Sequence, residues 1–229
     1  MIDPPNERGG PQQIPRPSTW RLGGPPPWNH LSEWQRRIDL STLRTRLGQY
    51  EPEFLDRSLP ATGRTSAVLV PLYVDAGEAT VVLTRRSPAM RSHTHEVAFP
   101  GGRHDDADAD HIDTALREAE EEIGLERSQV EIVGQLDWFV TAGSGSLVHP
   151  YVGYLDAPPR DLVPNPSEVE AILHVPIREL LLDEVWREER WARTGVEQPV
   201  TFFELYGDTI WGATGNILRQ LLTMATDPS

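Results

Sequence analysis

The segment from Phe99 to Leu125, FPGGRHDDADADHIDTALREAEEEIGL, limits the folds open to this chain more than any other. Its apolar residues Ile112, Ala115, Leu116, Ala119 and Ile123 recur at helical spacing. With an advance of about 100° per residue they share an arc of roughly 100°. The expectation is a helix with this stripe laid on a sheet. On the same count Glu118, Glu121 and Glu122 span a second arc of about 100°, with Glu122 nearest the stripe. Glu120 points elsewhere, about 100° from Glu121. Gly124 is the expected stop, because glycine accepts the left-handed conformation that ends many helices.

Three carboxylates on one flank repel one another. An isolated E-x-x-E reads as a solvated acidic face. A divalent-cation site is the other reading, since magnesium takes one or two carboxylates together with phosphate oxygens and water. The neighbours favour the metal. Pro100-Gly101-Gly102 lets backbone approach a metal or phosphate closely. Arg117 can pair with a carboxylate and fix its rotamer. A calcium loop beginning at Asp106-x-Asp108-x-Asp110 is excluded. Its sixth and twelfth positions need glycine and glutamate, and the chain has His111 and Arg117 there.

The segment resembles the Nudix box, G-x5-E-x7-R-E-U-x-E-E-x-G-U, over about residues 101–125. Gly102, Arg117, Glu118, Glu121, Glu122, Gly124 and Leu125 fit, with Ala119 at the first aliphatic position. Asp108 fills the first acidic position, and eight residues rather than seven then lead to Arg117. The extra residue falls before the helix and should leave the helix ligands intact. Upstream, Val82–Gly102 resembles the motif of Nudix coenzyme A pyrophosphatases, L-L-T-x-R-[SA]-x3-R-x3-G-x3-F-P-G-G. Leu83, Thr84, Arg86, Ser87, Arg91 and Phe99–Gly102 fit, while Val82 replaces a leucine and His95 the lone glycine.

The resemblance implies a Nudix-type α/β/α sandwich (α+β) with a mixed β-sheet between helices. It implies a metal-dependent pyrophosphohydrolase with Mg2+ or Mn2+ as cofactor. Glu118, Glu121 and Glu122 would hold metal with the Gly101 carbonyl, and Arg117 would support them. Glu121 and Glu168 are the candidate catalytic carboxylates, Glu168 as general base and Glu170 as its fallback. Arg86, Arg91, His95 and Gly102 are the expected substrate contacts, because arginine forks suit phosphate oxygens. Arg85 alternates with Arg86 on a strand and is expected to face away. The implied substrate is coenzyme A or an acyl-CoA, cut to 4′-phosphopantetheine and adenosine 3′,5′-bisphosphate. The alternatives are ADP-ribose or another dinucleotide, a ligand-binding Nudix domain without turnover, and a scaffold that uses the N-terminal arm.

Residues 1–28 are rich in proline and glycine and read as an extended or disordered arm, with Trp20 and Trp28 as anchors on the domain or a second subunit. Residues 29–229 read as one domain, and a homodimer is left open. A helix is expected over 31–48, burying Leu31, Trp34, Ile38 and Leu43. Strands are expected at 66–74, 79–84, 130–136, 150–155, 172–175, 201–205 and 209–211. A short helix follows at 177–182, and a last one from about Thr214. The net charge of −14 excludes a global basic footprint for nucleic acid. No apolar run approaches a membrane span, and the chain has no cysteine. The expectation is a cytoplasmic protein with a small nucleotide substrate, no nucleic-acid partner and no membrane.

Overall fold

The computed structural model describes residues 8–55, 62–88, 95–193 and 196–227. Arg91 lies outside them. The elements are, in order, β1 (Arg21–Leu22), α1 (Leu40–Gln49), β2 (Phe54–Leu55), β3 (Thr65–Asp75), β4 (Glu78–Arg86), β5 (Val97–Ala98) and β6 (Gly101–Arg103). Then come α2 (His111–Ile123), β7 (Glu131–Gln135), β8 (Trp138–Val140), β9 (Leu147–Tyr154), β10 (Val169–Pro176) and α3 (Ile177–Leu180). The chain closes with β11 (Trp186–Arg193), β12 (Val196–Leu205), β13 (Asp208–Trp211) and α4 (Gly212–Thr226).

The larger sheet is mixed and runs β10-β4-β3-β9-β8-β2, with β5 on β4, β6 on β3 and β7 on β9. β3 pairs with β9 in parallel and with β4 antiparallel. The period of two along β3 divides its side chains between two cores. Ala67, Leu69 and Tyr73 join Ala115, Ala119 and Ile123 of α2 on one face. Val70 and Leu72 join Leu43 and Leu47 of α1 and Leu218 and Leu221 of α4 in the other core. Helices therefore cover both faces, giving the expected α+β sandwich. The smaller sheet, β1-β11-β12-β13, packs Trp186, Phe203 and Ile210 into the same core as α4.

Three expectations need correction. The helix expected over 31–48 begins only at Leu40, where Asp39 accepts a hydrogen bond from Ser41 N and caps it. Before it, the chain turns at Ser32, whose carbonyl accepts from Gln35 N. Those turns leave Trp34 74% exposed, whereas Leu31 and Leu43 are buried. Residues 8–28 of the arm are built into the body rather than extended from it, with Trp28 as the expected anchor on the domain. Arg21–Leu22 pairs with β11, and Trp28 is fully buried with its indole N–H donating to Leu181 O. Trp20 stays 40% exposed. Among the described residues no helix is long and apolar enough to cross a membrane.

Candidate active site

The apolar stripe of α2 sets where its carboxylates go. Ala115, Ala119 and Ile123 are buried on the sheet, and Leu116 and Ile112 sit half-buried at the edge of the stripe. The stripe is thus centred on the alanines, which lets the helix lie close and carries Glu122 inward. Glu122 is only 4% exposed. Glu118 is also sheltered, with 15% side-chain exposure, while Glu121 keeps 58%. Asp110 caps α2 by accepting from Asp113 N, and Gly124 ends it at φ +67° with its N–H on Ala119 O and Glu120 O.

The two glycines before the helix make room for this. A side chain on Gly102 would meet the Glu118 carboxylate at 2.5 Å, and one on Gly101 would meet Ala67 O at 2.5 Å. Gly101 N–H points to Glu122 Oε2 at 3.4 Å. Arg117 holds the flank together. Its Nη1 donates to Glu118 Oε1 at 2.9 Å and to Glu121 Oε2 at 3.1 Å, while Nε and Nη2 grip Asp108.

From the far side comes the loop before β10. Asn165 N donates to Glu122 O at 2.8 Å, Val163 N to Ile123 O, and Glu168 O accepts from Ser87 N. The loop is thereby docked between the end of α2 and the end of β4. Glu168 then stands close enough to raise the pKa of both Glu118 and Glu122. Burial is the main cause in each case. It pushes Glu122 up to about 8, against the pull of the nearby Arg86 charge. Burial likewise raises Glu118, opposed by Arg117. Arg86 is half-buried, and its Nε finds no hydrogen-bond partner among the described residues.

Glu118, Glu122, Arg86, Glu168, Gly101, Gly102 and Arg117 are therefore neighbours, with Glu121 on the exposed rim. Glu170 and His95 form a separate group. His95 Nδ1 lies 3.1 Å from Glu170 Oε2, and Arg85 reaches Glu170 at 4.0 Å. Arg85 itself is bound in two places to Asp208, at 2.8 and 2.7 Å, a pairing between β4 and β13 with no signal in the sequence. His95 adopts φ +59°, the backbone conformation a glycine would supply. A large open cavity lined by Trp34, Arg36, Ile38 and Tyr206 contains none of these carboxylates.

Among the described residues no three acidic or imidazole groups converge into a ready-made metal cage. The donor set still fits a hard cation that shares its shell with substrate and water, because magnesium uses few protein ligands. Two sheltered carboxylates sit one turn apart on α2, the charge of Glu118 raising Glu122 and that of Glu168 raising both. Burying such like charges is costly unless a cation compensates.

The model of the NUDIX domain matches residues 63–194. An uncharacterized Nudix hydrolase NudL of Photorhabdus laumondii is 41% identical over 165 residues, covering 72% of this chain and 87% of that protein. The chloroplastic Nudix hydrolase 22 of Arabidopsis thaliana is 40% identical over 167 residues, covering 70% of this chain. The match spans only 55% of that plant protein's length. Among solved structures, a C. elegans Ap4A hydrolase binary complex is 22% identical, covering 51% of this chain and 82% of its own, with a TM-score of 0.42.

Proposed function

We propose that this chain, which belongs to the Nudix hydrolase family, cleaves the pyrophosphate bond of coenzyme A or an acyl-CoA with the help of a divalent cation. The observation that carries a pyrophosphate substrate is the juxtaposition of Arg86 and Glu122. A half-buried guanidinium whose Nε is unused among the described residues lies within charge range of a buried carboxylate, so a cation-neutralised anion can join both. The coenzyme A reading rests on the motif from Leu83 to Phe99, which surrounds Arg86.

In this reading Glu118 and Glu122 hold Mg2+ or Mn2+, with Glu121 and the Gly101 carbonyl completing the protein's share. A cation held there would polarise a phosphoryl oxygen and lower the pKa of a bound water. Arg117 keeps the Glu118 and Glu121 rotamers fixed. Arg86 and Arg91 bind phosphate oxygens, and Gly102 keeps the approach open. Glu168 is the general base, because its backbone is pinned by Ser87 and its charge acts on both Glu118 and Glu122. Glu170 is the weaker candidate, being engaged by His95 and Arg85. The hydrolase unit is residues 29–229, with residues 1–28 as an attached arm.

A panel of coenzyme A, acyl-CoA, ADP-ribose and dinucleotides, with Mg2+ or Mn2+ and product masses read by mass spectrometry, tests the proposal. Expected products are 4′-phosphopantetheine and adenosine 3′,5′-bisphosphate. Cleavage of ADP-ribose or a dinucleotide alone would replace the substrate and keep the chemistry. Metal-dependent binding with no turnover on any member would make the domain a ligand-binding module.

A further inference from the structure

We infer that Gln12, on the N-terminal arm, is a positioning residue for the substrate-binding hairpin and acts through the backbone of His95. The inference rests on the reading of Arg86 as a phosphate contact.

Gln12 Nε2 donates to His95 O at 2.9 Å and to Thr209 O at 3.0 Å. Both acceptors are carbonyls, so only the NH2 end of the amide can face them. The other end, Oε1, is buried without a partner among the described residues. The side chain thus gives up a hydrogen bond in order to span two elements that are far apart in sequence.

One of those elements is strained. His95 at φ +59° occupies a region that residues other than glycine seldom visit, and it holds only where the surroundings enforce it. Its N–H donates to Arg86 O, and Arg86 N donates to Glu96 O at 2.9 Å. Any drift of residues 95–96 therefore moves the backbone of Arg86 directly. The His95 ring is held by Glu170, and its carbonyl by Gln12.

The other element is firm. Thr209 lies on β13, and the arm is fastened beside it by Gly9 N to Leu205 O at 2.7 Å and Gly10 N to Thr209 Oγ1 at 2.9 Å. Any side chain on Gly10 would strike Gln12 Oε1 and Thr209 N. Further along, Arg16 pairs at 3.0 Å with the fully buried Glu189. Gln12 is the link by which this fastened arm reaches the hairpin that carries Arg86.

The test is Gln12→Leu in the full chain, in wild-type and His95→Gly backgrounds, with Arg86→Gln alongside. The probe is coenzyme A or ADP-ribose, whichever the wild type cleaves faster with Mn2+. Gln12→Leu should raise KM about tenfold with kcat within about twofold, and speed amide exchange at Arg86 and His95 with Tm nearly unchanged. Glycine accepts the left-handed backbone unaided, so in the His95→Gly background the same change should move KM less than about twofold. An unchanged KM and exchange rate in Gln12→Leu, while Arg86→Gln raises KM, overturns the positioning role alone. So does an equal effect in both backgrounds, or a loss of kcat in step with Tm. No change of KM in Arg86→Gln overturns the phosphate contact and the inference together.

Discussion

Asp108 grips Arg117 with two hydrogen bonds, Nε to Oδ1 at 2.7 Å and Nη2 to Oδ2 at 3.0 Å. The Asp108 side chain is 3% exposed, and the Arg117 bond holds its carboxyl well below the usual carboxylate range. The extra residue between them is absorbed in the loop, where Asp105 N also donates to Asp108 Oδ2 and Asp110 starts the helix. The shorter acid at this position thus still reaches the arginine. Asp108→Asn should cost about 3 kcal/mol in urea unfolding, as breaking a buried pair does. It should also lower turnover, since Arg117 steadies Glu118. The contribution is present above the unfolded carboxylate's pKa of about 3.9 and is lost as pH falls. A variant of wild-type stability would mean the pair is energetically idle.

Glu118→Gln and Glu122→Gln should each reduce metal-dependent turnover by at least about a hundredfold, the scale of removing a main electrostatic group from a site. Glu122→Gln should not weaken the metal-free fold, because it replaces a carboxyl whose charged form burial already disfavours. Glu120 is exposed and pairs at the surface with Arg127. Glu120→Gln should keep activity within about twofold, as surface pairs contribute little. Magnesium titrations of the three variants make the comparison. Near-normal activity in Glu122→Gln would remove it from the metal set.

Core truncations on α2 should rank by burial. Ile123 is fully buried, so Ile123→Ala should cost about 2–5 kcal/mol. Leu116 lies at the stripe's edge, half-buried against the same cluster. Leu116→Ala should cost about 1–2 kcal/mol, less than a fully buried leucine. Denaturant midpoints at unchanged m-value give both numbers. The reverse order would displace the helix phase and the carboxylate arc with it.

His111 and His149 stack at 4.1 Å between ring centroids, with His104 and Trp138 at either end of the row. Burial lowers His149 to about 4, and the His111 charge adds to this. His111 is lowered by burial and then by His104, with Asp110 opposing. The sign follows from proton linkage. Between about pH 6.5 and 4 these two histidines bind more protons in the unfolded chain than in the folded one, so their contribution to stability falls as pH drops through that window, opposite in sign to that of the raised Glu122. His149→Phe should flatten the fall in Tm over this range. An equally steep profile in the variant would assign the acid sensitivity to other groups.

What the sequence disclosed follows the range of the interactions. Strands β3, β4, β9 and β12 declare themselves by apolar and β-branched runs, and α2 by its stripe and Gly124. β11 does not, because WREERWAR reads as charged surface. In the fold its Glu189 is buried against Arg16, Arg187 and the indole N–H of Trp191. A pattern rule sees the charges and not the partners that neutralise them. The helix expected at 31–48 failed at Asp39, whose capping bond outweighs the helical spacing before it. In the site, the carboxylate arc was legible because it is local to one helix. The Arg85–Asp208 pair and the bridge made by Gln12 were not, since their bonds join residues 83 to 197 positions apart.

In the proposed reading, substrate choice turns on Arg86 and His95. Coenzyme A carries a 3′-phosphate beyond its pyrophosphate, so it gains from a cationic contact that ADP-ribose cannot use. Under the proposal, Arg86 and Arg91 are the candidates for such a contact, Arg91 lying outside the described residues. His95 stands where the coenzyme A motif has glycine, and it keeps glycine's backbone conformation with its ring turned to Glu170. The backbone at this one position is therefore the one a glycine would allow. In competition at equal concentration with Mg2+ or Mn2+, coenzyme A should show the higher kcat/KM. His95→Gly should leave that preference in place or sharpen it, because it frees a strained residue and opens the side of the hairpin. A higher kcat/KM for ADP-ribose in the wild type would reject coenzyme A and keep the Nudix chemistry. If ADP-ribose wins in the wild type and coenzyme A wins in His95→Gly, then that one side chain has changed the specificity of the pocket.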